Sequence, residues 1–335
     1  MKRILFFSLM ALTMTTLSCK EEDMQQRKLD RKGVDVVIGV NTPDLEATRS
    51  NETNMDSALG AISNFSDDEW AQYDVRYILE VYDVSAGFEN LNTPVTKRMV
   101  NTHDTYQATS FKLRLIPGRT YKFVVWADFV KEDTQSDLNY NTTSLKNITR
   151  TASAPKAMDE SMDAYFAQED IYLTGALQKD ITLTRPFGKV RVVTTDINQL
   201  NIGSVPHTVN IHFYNHPIFQ SLNALTGNAE VTYDEVSYPA YTISKDAPYT
   251  EGYDSLITSQ TLFADYIFAQ YEHAQEINFT MQVVEASGRV IHEQDFNTQI
   301  PLERNKLTTI IGNLLTTNAE FTILIDDNFA GYLPE

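Results

Sequence analysis

One cysteine in 335 residues leaves no second thiol for an intramolecular disulfide, so Cys19 needs another explanation. Beyond a short run near the start, no segment reaches the ~18 uninterrupted apolar residues of a membrane-spanning helix, and none is expected. Basic residues are scarce. Against 45 acids stand 27 Lys and Arg, and their one cluster is Arg27 to Lys32. A net charge of −18 with no basic face excludes nucleic acid as a partner, because phosphate binding requires that face. The motifs HExxH, GxSxG, the P-loop and a GxGxxG after a strand are all missing, so no enzymatic role and no cofactor are expected. Amphipathic helical periodicity is almost absent as well.

What is present begins with an export signal over 1–18. Lys2 and Arg3 precede an apolar run from Ile4 to Leu12, followed by small polar residues to Ser18. Cys19 sits at the end of that run in Thr-Leu-Ser-Cys, which resembles a bacterial lipobox whose cysteine is acylated. Several acyl chains, at ~0.8 kcal/mol per buried methylene, hold far better than one. Residues 19–32 then read as an acylated tether. Its Lys20-Glu21-Glu22-Asp23 resembles the signal that sends Bacteroidetes lipoproteins to the outer face of the outer membrane; a solvated tether is the alternative reading.

The length and a 42% hydrophobic composition support two domains, at 33–179 and 180–335. The stretch 181–196 opens the second. Val190 and Val192 alternate with Lys189 and Arg191, which predicts a strand with one buried face, entered through a kink at Pro186 and Gly188. Strands are also expected at 34–40, 73–84, 171–177, 208–215 and near the C-terminus. Hairpins are expected at 111–129, turning at Pro117-Gly118, and at 277–296, turning at Ser287-Gly288. Short helical pieces are expected at 67–73, 163–166 and 217–225. Strands at short spacing with turn signals between them predict β-sandwiches.

Candidate chemistry is thin. His212 and His216, on one strand face, would stand roughly 13 Å apart at ~3.3 Å per residue, too far to share an ion with each other or His207 without a turn. No metal site is expected. The tyrosines between Tyr233 and Tyr271 read as strand packing, with a glycan or protein contact surface as the alternative.

Four stretches, DVRYILEVYD (74–83), PGRTYKFVVWAD (117–128), LTRPFGKVRV (183–192) and RNKLTTIIGNLLTTNAEFTILID (304–326), together resemble the fimbrillin-like lipoproteins of Bacteroidetes, relatives of the FimA and Mfa pilins. The resemblance implies an all-β protein of two tandem transthyretin-like β-sandwiches, displayed on the outer membrane or in a fimbrium, with other fimbrial subunits as partners. It further implies cleavage by an arginine-specific protease, for which Arg49 is the matching residue, and polymerisation by strand donation. The candidate donor is the C-terminal strand, where Phe321, Ile323 and Ile325 alternate with Thr322, Leu324 and Asp326. A different class of function, a monomeric surface lipoprotein that binds glycan or host protein, is the alternative.

Overall fold

The computed structural model describes residues 32–42, 71–86, 91–102, 109–151, 159–196, 199, 206–213, 218–232, 236–237, 241–242, 260–271, 273–316 and 321–327. In chain order the strands are β1 (Val34–Asn41), β2 (Tyr73–Asp83), β3 (Thr96–Thr102), β4 (Thr109–Leu115), β5 (Arg119–Lys131), β6 (Tyr140–Asn141) and β7 (Ile148–Arg150). After a 3-10 turn at Glu160–Met162 come β8 (Ala164–Leu173), β9 (Leu177–Thr182), β10 (Phe187–Thr194), β11 (Thr208–Phe213), β12 (Ile218–Asn223) and β13 (Asn228–Thr232). The chain continues with β14 (Val236–Ser237), β15 (Tyr241–Thr242), β16 (Gln260–Phe268), β17 (Gln275–Val284), β18 (Val290–Leu302), β19 (Leu307–Gly312) and β20 (Phe321–Asp326). Among the described residues no helix is long and apolar enough to cross a membrane.

These strands form four sheets, and the protein is an all-β sandwich. The first sheet has the order β4-β1-β9 and the second β3-β2-β5-β8. The third runs β20-β19-β10-β16-β12-β7-β6, with β13 beside β12; the fourth runs β14-β11-β17-β18, with β15 beside β11. Side-chain alternation assigns the cores. On β5, Tyr121, Phe123, Val125, Ala127 and Phe129 meet Val36, Ile38 and Val40 of the first sheet. Val124 and Trp126, on its other face, join a middle core with Tyr140, Phe187, Tyr266 and Phe268. Val190 and Val192 of β10 turn the opposite way, to the core shared with Ile277, Phe279, Met281 and Val283 of β17. The second sheet is therefore buried on both faces, and the middle core joins the two halves of the chain.

Several expectations are corrected. Residues 111–129 are no hairpin: β4 lies in the first sheet and β5 in the second, so Pro117-Gly118 carries the chain across the sandwich. The alternation of apolar residues is the same for an arch and a hairpin, because both strands face one core. Tyr121 fixes the corner, its hydroxyl donating to Ile116 O (3.0 Å) and accepting from Ile116 N (3.2 Å). The hairpin at 277–296 is present as β17 and β18, turning through Gly288 at φ 85°. Residues 164–166 belong to β8 and 218–223 to β12, where helical pieces were expected; tertiary pairing overrides local preference. The expected strand at 208–215 is described as β11 through Phe213, and β10 is buried on both faces rather than one. Strand β9 runs through residue 180 and pairs with β1, and β7 of the first half pairs with β12 in the third sheet.

Candidate functional site

Strand β1 occupies the centre of the first sheet. It pairs antiparallel with β4 from Val34↔Leu115 to Val40↔Thr109, and parallel with β9 from Val36↔Leu177 to Asn41↔Thr182. Three β-branched residues, Val36, Ile38 and Val40, point inward at 0–1% exposure. They pack among Phe111, Leu113, Ile181 and Leu183, over Tyr77 and Phe123 of the second sheet. Burying each is worth about 1.5–3 kcal/mol. Past the paired stretch, Leu183 N donates to Asn41 O (2.8 Å). The outward Asp35–Arg114 ion pair, at 3.7 Å with both side chains exposed, adds little.

Strand β1 is the first of the described strands. Its removal would leave β4 and β9 with facing unpaired edges and an apolar floor, a slot that accepts an extended strand by backbone pairing. One residue of this slot is not apparent from residue alternation. A Cβ placed on Gly39 would lie 2.0 Å from Asp180 Oδ1, so the carboxylate sits directly over the glycine. An incoming strand with a side chain there must displace Asp180. The sequence cue is a glycine inside VDVVIGVN, since glycine in a strand marks close approach.

Cys19 and Arg49 lie outside the described residues, as does His216. Among the described residues no group of three or more His, Cys, Asp or Glu is placed to hold a metal ion. The C-terminal candidates are described. Among the described residues β20 is the edge of the third sheet and pairs only with β19, from Leu307↔Asp326 to Gly312↔Phe321. Phe321 and Ile323 pack half-buried against the last core, with the Phe321 ring 5.1 Å from that of Phe296. Ile325, expected on the same apolar face, is 45% exposed.

The junction between the halves carries buried charge. Lys189 Nζ lies 2.9 and 3.0 Å from the Glu160 carboxylate oxygens, with Tyr266 Oη at 3.1 Å. Arg185 grips Asp163 in a fork, Nε to Oδ1 and Nη2 to Oδ2 both 2.9 Å, and lies over the Tyr165 ring. Burial pulls the Lys189 ammonium below its ordinary value, with Glu160 opposing. Burial would lower Arg185 too, but Asp163 more than offsets it and the guanidinium is held above its usual range. Arg191, hydrogen-bonded through Nε to Thr309 Oγ1 (3.1 Å), is lowered by burial to about 10. In this lattice each charge is matched by a hydrogen-bonding partner from another segment.

The family described as a family of unknown function (DUF6562) matches residues 28–333. No curated protein matches the chain. Among solved structures, a DUF1812 protein from Bacteroides thetaiotaomicron, conjectured to bind polysaccharide, is similar at 15% identity and a TM-score of 0.50, covering 88% of this chain and 96% of its own. A fimbrial assembly protein from Parabacteroides distasonis is similar at 10% identity and a TM-score of 0.40, over 88% and 95%. The tip fimbrial protein Mfa3 from Porphyromonas gingivalis, truncated at its C-terminus, is similar at 10% identity and 0.43, over 88% and 99%.

Proposed function

We propose that this chain, which belongs to the DUF6562 family of unknown function, is a fimbrial structural or accessory subunit, exported as a lipoprotein and assembled at the cell surface by strand exchange. The observation that carries this reading is the position of β1, central in a three-stranded sheet yet first among the described strands. Cleavage after Arg49 would free it. The emptied slot would expose Phe111, Leu113, Ile181 and Leu183, and refilling it recovers their burial, which supplies a driving force for taking up a strand from another subunit.

The donor in this reading is β20. It has one strand neighbour, and its loss leaves β19 as a new edge of an otherwise intact sheet. Anchoring would come from acylated Cys19 in the outer membrane, with the chain exposed outside and contributing to adhesion. The subunit would act without catalysis, metal or cofactor.

The reading is tested on native cells. Extracted without boiling, the protein should run as an SDS-resistant ladder that collapses to one band on heating, and Arg49→Ala should abolish the ladder. A single monomer band from unboiled native material would overturn it. Cys19→Ala should release the protein from the membrane fraction and remove lipid label; unchanged retention would overturn the anchor.

A further inference from the structure

Beside Thr184, residues ahead of β17 and the turn 303–305 ahead of β19 line a depression of about 350 Å³. Tyr271 stands at its rim and is 64% exposed. Its ring is nonetheless braced from behind. The Arg304 guanidinium carbon lies 5.6 Å from the Tyr271 centroid and 5.2 Å from that of Phe166. Arg304 is itself pinned by Nε and Nη2 donating to Ala269 O (3.1 and 2.6 Å) and by Nη2 donating to Gly227 O (3.0 Å). An aromatic face is thus held open to solvent on a rigid support.

The same corner has unfilled hydrogen-bonding capacity. Asn305, kept at φ 59° by its turn, lines the depression with a buried Oδ1 that has no hydrogen-bond partner. Such an atom is nearly always paired in native proteins, so this oxygen calls for a donor. Gln270, His273 and Glu303 complete a polar rim. Little charge is left free, because Glu303 is engaged by Lys306 at 2.7 Å and Arg304 is committed to carbonyls and rings.

From this geometry we propose that the depression is a subsite for one neutral sugar ring of a glycan, its C–H face stacked on Tyr271 and its hydroxyls bonded by Asn305, Gln270 and Glu303. A sugar combines an apolar face with closely spaced hydroxyls that both donate and accept, which is what a braced ring beside an unpaired amide oxygen would take. An anion would find Arg304 and Lys306 already engaged. An apolar ligand would leave the Asn305 oxygen unpaired. The subsite uses no residue of the β1 slot and stands or falls independently of strand exchange.

The full chain is titrated with three neutral polysaccharides, α-mannan, dextran and a β-galactan, and with a sulfated dextran. At least one neutral polymer should bind saturably, and Tyr271→Ala and Asn305→Gly, the latter keeping the left-handed turn, should each weaken it at least tenfold. Tyr172→Ala, which alters a tyrosine of equal exposure elsewhere, should leave binding unchanged. The proposal is overturned if none of the neutral polymers binds, if only the sulfated one does, or if Tyr271→Ala, with its melting curve intact, binds as the parent does.

Discussion

Lys189 and Glu160 show what one residue pair costs when it is divided. Both are nearly sealed from water, and Tyr266 completes their bonding. Glu160→Gln leaves an ammonium buried without a counter-charge, and urea unfolding should show a loss of about 3–5 kcal/mol. Replacing the pair by Glu160→Leu with Lys189→Met should recover most of that loss, since an apolar pair of similar volume carries no desolvation penalty. Gly188, next to Lys189, tolerates no side chain: a Cβ there would lie 2.7 Å from Glu303 O and 2.5 Å from Leu302 Cδ1. Gly188→Ala should therefore cost about 1–3 kcal/mol by overpacking, read from the same unfolding curves.

Acid acts at the same scale. Burial alone would raise the Asp83 carboxyl, but hydrogen bonds from Ser85 and from Arg119 Nη1 (2.5 Å) hold it below its ordinary range. Thr142 and Arg76 do the same for Asp137 against its burial. A depressed folded pKa gives stability that is complete above the unfolded value, about 3.9, and is lost as pH falls through the folded one. Denaturant midpoints should accordingly drop between pH 5 and about pH 2, and the drop should be smaller in Asp83→Asn with Asp137→Asn. An unchanged slope in the double variant would contradict the assignment.

At the scale of elements, residue alternation located the strands but not their partners. The stretch 111–129 reads as a hairpin because Phe111, Leu113, Tyr121 and Phe123 all face one core, and that is equally true of an arch between two sheets. The deciding contact is Tyr121 Oη to the Ile116 backbone, which has no periodicity to betray it. Tyr121→Phe should destabilise the chain by about 0.5–1.5 kcal/mol, the net worth of a hydrogen bond to the partly buried Ile116 backbone. The burial of Lys189 and Arg191 was hidden for a related reason: a cation in a strand reads as solvent-facing until its partner arrives from another segment, Glu160 for Lys189 and Thr309 for Arg191. In β20 the alternation is legible, and its depth is not. Ile323→Ser should lower stability measurably, whereas Ile325→Ser should fall within about 0.5 kcal/mol of the parent.

At the scale of the whole molecule, the sandwich class follows from many short strands with turn signals between them. How tightly the halves are joined does not. Trp126, Tyr140, Phe187 and Phe268 form one aromatic cluster drawn from both halves, with Trp126 and Tyr140 centroids 5.4 Å apart and Phe187 and Phe268 centroids 4.8 Å apart. Each reads locally as a strand residue with no sign of its partner. The slot that holds β1 lies in the first sheet, apart from this joint.

If the β1 slot takes up the C-terminal strand of a second copy, an engineered disulfide between the two should lock them together. In a Cys19→Ala background, Leu113→Cys marks the slot beside Val36, and Phe321→Cys, Ile323→Cys or Ile325→Cys marks the donor. After arginine-specific cleavage and oxidation, intermolecular disulfides should form in at least one of the three pairs, giving a ladder that reduction collapses and that chains carrying Arg49→Ala do not form. Chains cut after Arg49 that lose β1 yet remain monomeric, with no cross-link in any of the three pairs, would contradict it.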